Sequence, residues 1–360
     1  MLVRFLIACS LILSVFAAIS GSPIAIAQGL TQWTHTTLSD FSGCSQLTNS
    51  SVSNTNGGEV RLAAVLEDYF DSPNIDFTRW VTGQTFIFGS VPPTVTNGIL
   101  SLNASFISST ISITQPTRVF ESRTRFRVPP PNTGYGDIGF GRQPSPGCTP
   151  GGGCPPGDNR LFITNDANLV RANARNGQDP VTNVDLPGVD PALWHAYRIE
   201  YGQTATHYYV DGTFAVSITL PSTYTPYVWL YTLNPGSTVE VDWARIDYYP
   251  HSTGQFHSCT IDAGQTTTWG SLTWSSTVPA GTSVSFETRS SANGTNWSSW
   301  SAPITTGGTL ITSPANRYLQ YRITFITSDP IVSPEVDRVT VYFNGGVPFR
   351  FFLAVVIRGH

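Results

Sequence analysis

Planar polar and aromatic side chains recur at alternate positions of several strand-like segments of this chain. Seven residues carry the pattern: Arg123, Arg125, Tyr135, Asp137, Tyr227, Trp229 and Tyr231. Successive side chains of a strand point to opposite faces, so residues two apart share a face. An aromatic ring offers an apolar surface to C–H groups of a ligand, while arginine and aspartate hydrogen-bond hydroxyls. We therefore predict one ligand-binding groove from these seven residues. The alternative is that the rings fill the space between two sheets.

Several other kinds of chemistry are excluded by the sequence. All 19 basic residues are arginine, so neither a Schiff-base lysine nor a phosphate-binding P-loop lysine exists. The motifs G-x-S-x-G, H-E-x-x-H and G-x-x-x-x-G-K are absent. A formal net charge of -4 argues against a nucleic-acid partner.

Composition predicts an all-β protein. Only 12% of residues are charged, while 32 Gly, 26 Pro and many Ser, Thr and Asn residues favour short strands joined by turns. Asn97-Gly98 and Asp211-Gly212 are typical of tight hairpin turns, and we place a further turn at Asn165-Asp166.

Two stretches of sequence resemble a known fold. Residues 69–80 read Y-F-D-S-P-N-I-D-F-T-R-W, and residues 194–249 include W-H-A-Y-R-I-E-Y, H-Y-Y-V-D-G-T-F-A-V-S-I, Y-V-W-L-Y and V-E-V-D-W-A-R-I-D-Y-Y. These resemble the opening, the meander and the closing strand of concanavalin A-like jelly rolls, found in laminarinase-type glycoside hydrolases (family 16), legume-type lectins and laminin-G-like modules. The resemblance covers about half of the chain and implies two stacked sheets, with sugars bound on the concave one.

The hydrolases of this fold carry E-x-D-x-x-E on a central strand, and retaining cleavage needs two carboxyls about 5 Å apart. The segment that should match reads Y-G-D-I-G-F-G-R. Asp137 could stand at the first carboxylate, but Gly139 occupies the second position and Arg142 the third. The resemblance therefore implies a jelly roll without the catalytic pair.

Three functional hypotheses follow. The first is a secreted or cell-surface, non-catalytic, lectin-like protein that binds a polysaccharide or glycan. The second is a structural or adhesive envelope protein without specific sugar binding. The third is an enzyme that uses atypical carboxylates such as Asp137 and Glu121. No cofactor is required by any of them, but the resemblance points to Asp242 as a ligand of a structural Ca²⁺ ion, with a solvent-exposed strand carboxylate as the alternative.

The remainder of the chain is predicted to form a second, smaller β-sandwich that is split in sequence. The stretch V-R-L-A-A-V at residues 60–65 is too short to fold alone and needs a partner sheet, which the strands between residues 256 and 343 offer. The predicted boundaries are a signal peptide at 1–27, an N-terminal segment at 28–66, the jelly roll at 67–250, the C-terminal sandwich at 251–344 and a hydrophobic tail at 345–360. The stretch R-Y-L-Q-Y at residues 317–321 resembles accessory sandwich modules of secreted bacterial proteins.

Both ends of the chain bear on where the protein is located. An apolar run at residues 5–19 followed by Ala25-Ile-Ala27 is typical of an export signal, and a lipoprotein box ending at Cys9 is the alternative. The tail contains an uncharged run of seven residues at 351–357, which is too short to span a bilayer as a helix. It resembles short tails of secreted bacterial proteins and predicts sorting to, or retention at, the cell envelope. A last strand of the sandwich is the alternative.

Four cysteines remain after the signal, which in an oxidising compartment favours disulfides. Cys148 and Cys154 enclose five residues rich in Gly and Pro, so a local bridge is the simplest assignment and Cys44 then pairs with Cys259. The competing hypothesis is a zinc site.

The C-terminal part also contains W-S-S-W-S at residues 297–301, which matches the W-S-x-W-S pattern of cytokine-receptor sandwiches. From the physics of that pattern we expect Trp297 and Trp300 to stack on arginines, with Arg289, Arg317 and Arg322 available. The alternative is a second sugar platform formed by the two tryptophans.

Overall fold

The computed structural model of the chain describes residues 30–43, 45–84, 89–114, 118–127, 134–142, 160–166, 168–176, 180–202, 204–219 and 226–344. The predicted signal peptide, the C-terminal tail and the cysteines Cys9, Cys44, Cys148 and Cys154 lie outside these residues. Within them the structure is β-sheet apart from one short helix, α1 (Leu38–Ser42), which confirms the all-β prediction.

The strands fall into three consecutive stretches of the chain. The N-terminal stretch contains β1 (Leu30–His35), β2 (Gln46–Thr48), β3 (Ser50–Ser53) and β4 (Glu59–Leu62). The middle stretch contains β5 (Leu66–Asp68), β6 (Trp80–Gln84), β7 (Val91–Thr96), β8 (Ile99–Asn103), β9 (Ser105–Ser109), β10 (Arg118–Arg127), β11 (Tyr135–Gly141), β12 (Arg160–Asp166), β13 (Leu169–Arg175), β14 (Thr182–Asp185), β15 (His195–Tyr201), β16 (Thr206–Val210), β17 (Thr213–Ile218), β18 (Tyr227–Thr232) and β19 (Thr238–Ile246). The C-terminal stretch contains β20 (Thr253–His257), β21 (Ile261–Thr267), β22 (Trp269–Thr277), β23 (Thr282–Ser291), β24 (Thr309–Leu310), β25 (Asn316–Thr327) and β26 (Glu335–Asn344).

The middle stretch forms a jelly-roll sandwich of two antiparallel sheets. One sheet, here called the arginine sheet, has the order β17-β16-β15-β10-β19-β8-β7, and β5 also pairs with β19. The other, the aromatic sheet, has the order β14-β13-β12-β11-β18-β9-β6. Phe120 and Tyr197 of the arginine sheet and Phe140 and Leu230 of the aromatic sheet belong to one buried cluster, which is the core between the sheets. Their neighbours along each strand therefore point outward.

The structure confirms two of the three predicted turns of the jelly roll and contradicts the third. Asn97 and Gly98 have φ of 52° and 76°, and Asp211 and Gly212 have φ of 50° and 75°, as hairpin turns of two left-handed residues require. The predicted turn at Asn165-Asp166 is wrong. Both residues lie in β12, and Asp166 pairs with Leu169, so the chain reverses one step later. The fully buried Asn165 faces the core, which a turn residue would not do.

The N-terminal and C-terminal stretches together form a second sandwich, here called the split sandwich. Its terminal sheet has the order β24-β22-β26-β4-β3, with β1 also paired to β26, and its tryptophan sheet has the order β2-β20-β25-β21, with β23 also paired to β25. Val60, in the V-R-L-A-A-V stretch that was predicted to need a partner sheet, lies opposite Val336 of β26. Phe41 of α1 is fully buried in the same core, and Thr37 caps that helix with a capping box through Asp40.

One cysteine of the predicted disulfides can be placed. Cys259 is disulfide-bonded, and the adjacent strands β2 and β20 pair with Gln46 opposite His257. That register agrees with a bridge between Cys44 and Cys259, and the pairing itself stays a prediction.

A buried charge network joins the two sandwiches at the point where the chain passes between them. Arg61 of β4 is 2% exposed, and its guanidinium donates to Glu67 Oε2 at 3.0 Å and to the Tyr249 hydroxyl at 3.3 Å. Asp247, directly after β19, lies 3.9 Å from Arg61 and 2.8 Å from Arg245. Arg61 therefore contacts both segments through which the chain enters and leaves the jelly roll.

The network continues onto the outer face of the arginine sheet through Glu121. This carboxylate accepts hydrogen bonds from Arg198, at 2.7 Å, and from Arg245. Burial by itself raises the pKa of Glu121, but Arg245 and Arg198 outweigh burial and lower that pKa to about 2. Glu121 is therefore ionised at neutral pH and serves as a bridge between arginines.

Replacing Arg61 with methionine should destabilise the protein by about 3–5 kcal/mol, because Glu67 would keep a buried charge without its arginine partner and Asp247 would lose one of its cations. The matched control is Arg317→Met, which removes an exposed pair with Asp262 and should cost less than about 1 kcal/mol. Urea unfolding followed by tryptophan fluorescence measures both. Equal midpoints for the two variants would contradict a structural role for the network.

Glu335 of β26 provides a pH-dependent test of the same junction. Burial raises the pKa of Glu335, and the charges of Glu59 and Asp337 add to this rise against the opposing charge of Arg61. A carboxyl with a raised pKa in the folded state contributes stability at low pH that is lost as the pH rises through that pKa. Glu335→Gln should therefore stabilise the protein at pH 7, by the roughly 0.5–2 kcal/mol typical of such changes. The two proteins should be equally stable at acid pH, below the unfolded-state pKa, as measured by thermal unfolding. A difference between them that does not depend on pH would contradict this prediction.

Candidate functional site

The aromatic sheet buries side chains on both of its faces. Val228 and Leu230 of β18 enter the core between the sheets. Trp229 and Tyr231 point the opposite way and form a separate buried cluster with Phe106 of β9. The hypothesis that these rings fill the space between the two sheets is therefore wrong, because period-two alternation places them on the outer face of their sheet.

The outer cluster is ordered by aromatic and polar contacts. The rings of Phe106 and Trp229 lie 5.0 Å apart between centroids at 37°. The indole N–H of Trp229 donates to the Arg142 carbonyl at 2.7 Å, and Trp229 is 1% exposed. Phe162 of β12 is fully buried in the same cluster, while Tyr135 and Tyr227 are partly exposed and pack against it. The two partly exposed rings, Tyr135 and Tyr227, thus flank a buried aromatic cluster.

The two accessible tyrosines lie at opposite ends of one row. Tyr227 is opposite Gly141 and Tyr231 is opposite Asp137, so the row follows β11 from residue 141 back to Tyr135. Six strand steps of about 3.3 Å separate the ends of the row by roughly 20 Å. Between its ends the row is buried at Trp229 and Tyr231, so a ligand can reach its rings at Tyr135 and Tyr227.

Polar side chains border the Tyr135 end of this row. Asp166 lies opposite Tyr135. Arg171 of β13 is 2.8 Å from Asp166 and 2.8 Å from Asp185, and these two carboxylates are 47% and 58% exposed. Farther along β13, the Asn173 amide donates to Asn183 at 2.6 Å. These groups offer hydrogen bonds beside an aromatic surface.

Asp137 has a different environment from this accessible border. It is fully buried and accepts a hydrogen bond of 2.6 Å from the Thr164 hydroxyl. Glu121, its suggested catalytic partner, lies on the outer face of the other sheet between Arg198 and Arg245. The whole core separates the two carboxyls, so this pair cannot act on one bond.

The backbone at Gly139 explains why the second carboxylate position is unavailable. Gly139 has φ of 143°, and a Cβ atom there would lie 2.3 Å from the Leu161 carbonyl oxygen. Side chains do not tolerate that approach to backbone. No aspartate can therefore occupy this position unless the strand changes shape.

Two of the seven predicted groove residues do not lie on this face. Arg123 and Arg125 are in β10 of the arginine sheet, where they point outward because Phe120 and Phe126 of the same strand enter the core. They pair with Asp242 and Glu240 respectively. Their guanidinium groups lie 5.1 Å and 4.5 Å from the Trp194 ring. The prediction of one groove is wrong in this respect.

The predicted calcium ligand also has another partner. The Asp242 carboxylate faces Arg123, a cation, and no group of three or more His, Cys, Asp or Glu side chains among the described residues could hold a metal ion. The role of Asp242 as a calcium ligand stays a prediction, because backbone oxygens also bind Ca²⁺. In the described part of the chain, no helix is long and apolar enough to cross a membrane.

Sequence reasoning missed Phe106, Phe162 and Arg171. A signal for Phe162 was present, since L-F-I in β12 is apolar at three consecutive positions, which indicates a strand buried on both faces. Arg171 had no such signal, because its partners come from strands whose pairing only the fold defines.

Trp229→Ala should destabilise the protein by about 3–5 kcal/mol, as expected for a buried indole. Trp229→Phe keeps most of the ring but loses the hydrogen bond to Arg142 and should cost about 0.5–1.5 kcal/mol. Phe214→Ala is the control, since Phe214 is 54% exposed on the other sheet and should change stability by about 0.5 kcal/mol or less. A loss below 1 kcal/mol for Trp229→Ala in urea unfolding would show that the outer cluster does not support the fold.

No family model and no curated protein matches this chain. Solved structures similar to part of it include an endo-β-1,3-glucanase from Pyrococcus furiosus, with TM-score 0.41 and 14% identity over 54% of this chain and 97% of that chain. LamAcat from Zobellia galactanivorans has TM-score 0.39 and 15% identity over 51% of this chain and 96% of that chain. A chain from work on endo-acting O-glycanases of the human gut microbiota has TM-score 0.40 and 17% identity over 51% of this chain and 98% of that chain. These likenesses are too weak to support an argument about function.

Proposed function

We propose that this is an exported, non-catalytic protein that binds a polysaccharide along the outer face of the aromatic sheet. The observation that carries the proposal is the aromatic row on that face, which lies outside the core and has partly exposed rings, Tyr135 and Tyr227, at its two ends. A protein that needed this sheet only as one half of a sandwich would bury aromatic groups on one face alone.

The chemistry of the face suits a sugar chain. The C–H face of a pyranose packs on an aromatic ring, and its hydroxyls require planar hydrogen-bonding groups at the ring's edge. Tyr135 has such a ring, and Asp166 and Arg171 lie beside it. The buried rings of Trp229 and Tyr231 hold the strands beneath in place, which keeps the site preorganised.

The carboxylate pair expected from the hydrolase motif is absent from β11 at this face. Asp137 is fully buried and hydrogen-bonded to Thr164, and the next outward positions on its strand are Gly139 and Gly141. Retention needs a second carboxyl about 5 Å from the first, and inversion needs one about 6.5–9.5 Å away. Release of reducing ends from a glycan would show that an enzyme uses other residues.

The experiment is native electrophoresis of the exported protein in gels that contain β-glucan, xylan, mannan or chitin derivatives. One neutral polymer should retard the protein, and its free oligosaccharide should reverse the retardation. The double variant Tyr135→Ala/Tyr227→Ala should weaken binding at least tenfold, because both accessible rings are lost. Phe214→Ala, the exposed aromatic of the other sheet, should bind like the original protein.

Two results would reject the proposal. Uniform migration in every gel would favour a structural envelope protein without specific sugar binding. Retardation that the double variant retains in full would place the binding site away from the aromatic sheet.

A further inference from the structure

The split sandwich carries an aromatic and cationic surface of its own, at the edge of the tryptophan sheet. Residues 297–301 run beside β23, where the backbone N–H groups of Ser298 and Ser301 donate to the carbonyls of Ser290 and Thr288 at 2.9 Å and 2.8 Å. The side-chain oxygens of the same two serines accept from the Ser290 and Thr288 N–H groups at 3.1 Å and 3.0 Å. Each serine thus satisfies both backbone groups of one residue of β23.

This serine spacing places both tryptophans over the outer face of the sheet. Arg289 lies between them, with its guanidinium 5.0 Å from the Trp297 ring and 4.5 Å from the Trp300 ring. Arg322 lies 4.9 Å from Trp300, and the His257 ring contacts Trp300 edge-on at 5.3 Å. We call this stack the tryptophan ladder: Trp297, Arg289, Trp300 and Arg322. The expected stacking is confirmed for two of the three arginines, while Arg317 instead pairs with Asp262 and lies over Tyr318.

The charges in the ladder are not balanced. Arg322 donates two hydrogen bonds to Glu287, but Arg289 donates to the neutral side-chain oxygen of Gln320 at 3.0 Å and 2.7 Å. Among the described residues no carboxylate forms an ion pair with Arg289. Burial lowers the pKa of Arg289, and the charge of Arg322 lowers it further, so an added negative charge here would be favourable.

The stack around Trp194 shows that this imbalance is not a general property of stacked arginines in this chain. There Arg123 pairs with Asp242 and Arg125 pairs with Glu240, so both cations are compensated. In a chain of formal net charge -4, Arg289 therefore adds a local positive charge beside two indoles. Uncompensated cations between aromatic rings are suited to ligands that carry both anionic groups and apolar ring faces.

We infer that the tryptophan ladder binds a polysaccharide that carries carboxylates, such as a uronate polymer. A ligand carboxylate pairs with Arg289, and the partly exposed indoles of Trp297 and Trp300 pack on the sugar rings to either side. Planar carboxylates match the geometry of a guanidinium group. The inference rests on the split sandwich and does not depend on the aromatic sheet of the jelly roll.

The test uses the full exported chain and polygalacturonate as the probe, with its methyl ester as the uncharged counterpart. Polygalacturonate in a native gel should retard the protein, and the methyl ester should retard it at least tenfold less. Arg289→Gln should weaken binding to polygalacturonate at least tenfold. Arg317→Gln is the matched control, because it removes the same charge from the same sheet at a residue paired with Asp262, and it should bind within about twofold of the original.

Two further variants keep the test decisive. Arg289→Lys retains the charge and should bind polygalacturonate better than Arg289→Gln does. This order should hold even if thermal unfolding shows that the glutamine variant is less stable than the original protein. Tyr135→Ala/Tyr227→Ala should leave polygalacturonate binding unchanged, which separates this site from the proposed neutral-sugar site. Equal retardation by the acid polymer and its methyl ester would overturn the inference. So would unchanged binding by Arg289→Gln, or no retardation of the original protein.

Discussion

The arrangement of this protein depends on the buried charge network around Arg61. The chain leaves the split sandwich after β4, completes the jelly roll and returns before β20, so two chain segments must cross between the modules at one place. They can do so because β5 and β19 pair, with Leu66 opposite Ile246. Arg61 contacts Glu67 on the outgoing segment and lies 3.9 Å from Asp247 on the returning one. The two segments therefore meet at one buried arginine, whose removal would leave Glu67 with a buried charge and no cation beside it.

The two sandwiches differ in how exposed their aromatic rings are and in whether the nearby arginines have carboxylate partners. On the aromatic sheet the rings are largely buried, only the end tyrosines are accessible, and the nearby Arg171 is compensated by Asp166 and Asp185. On the tryptophan sheet, Arg289 is stacked between two partly exposed indoles without a carboxylate partner among the described residues. Charge compensation decides whether a stacked arginine still attracts an anion, so the two surfaces differ in the charge that they offer a ligand.

Backbone geometry at Gly139 restricts which side chains β11 can carry. A carboxylate side chain at Gly139 would place Cβ against the Leu161 carbonyl, so a single substitution cannot add one there. Asp137 is held by Thr164 inside the structure and has no second carboxyl along its own strand face. The strand supports the aromatic row, with Gly139 opposite Trp229 and Gly141 opposite Tyr227.

Local physics made the strands, their faces and two of the hairpins predictable from the sequence. Alternation assigned Tyr227, Trp229 and Tyr231 to one face, and Asn97-Gly98 and Asp211-Gly212 marked turns, because both signals involve residues close in the chain. Which sheet each strand joins depends on pairing between distant residues, and only the tertiary structure decided it. Arg123 and Arg125 share a face as the pattern predicts, yet β10 lies in the opposite sheet from β18. Alternation specifies which residues share a face, but the direction of that face depends on non-local packing. For the same reason, the uncompensated charge of Arg289 was visible only once its neighbours in space were known.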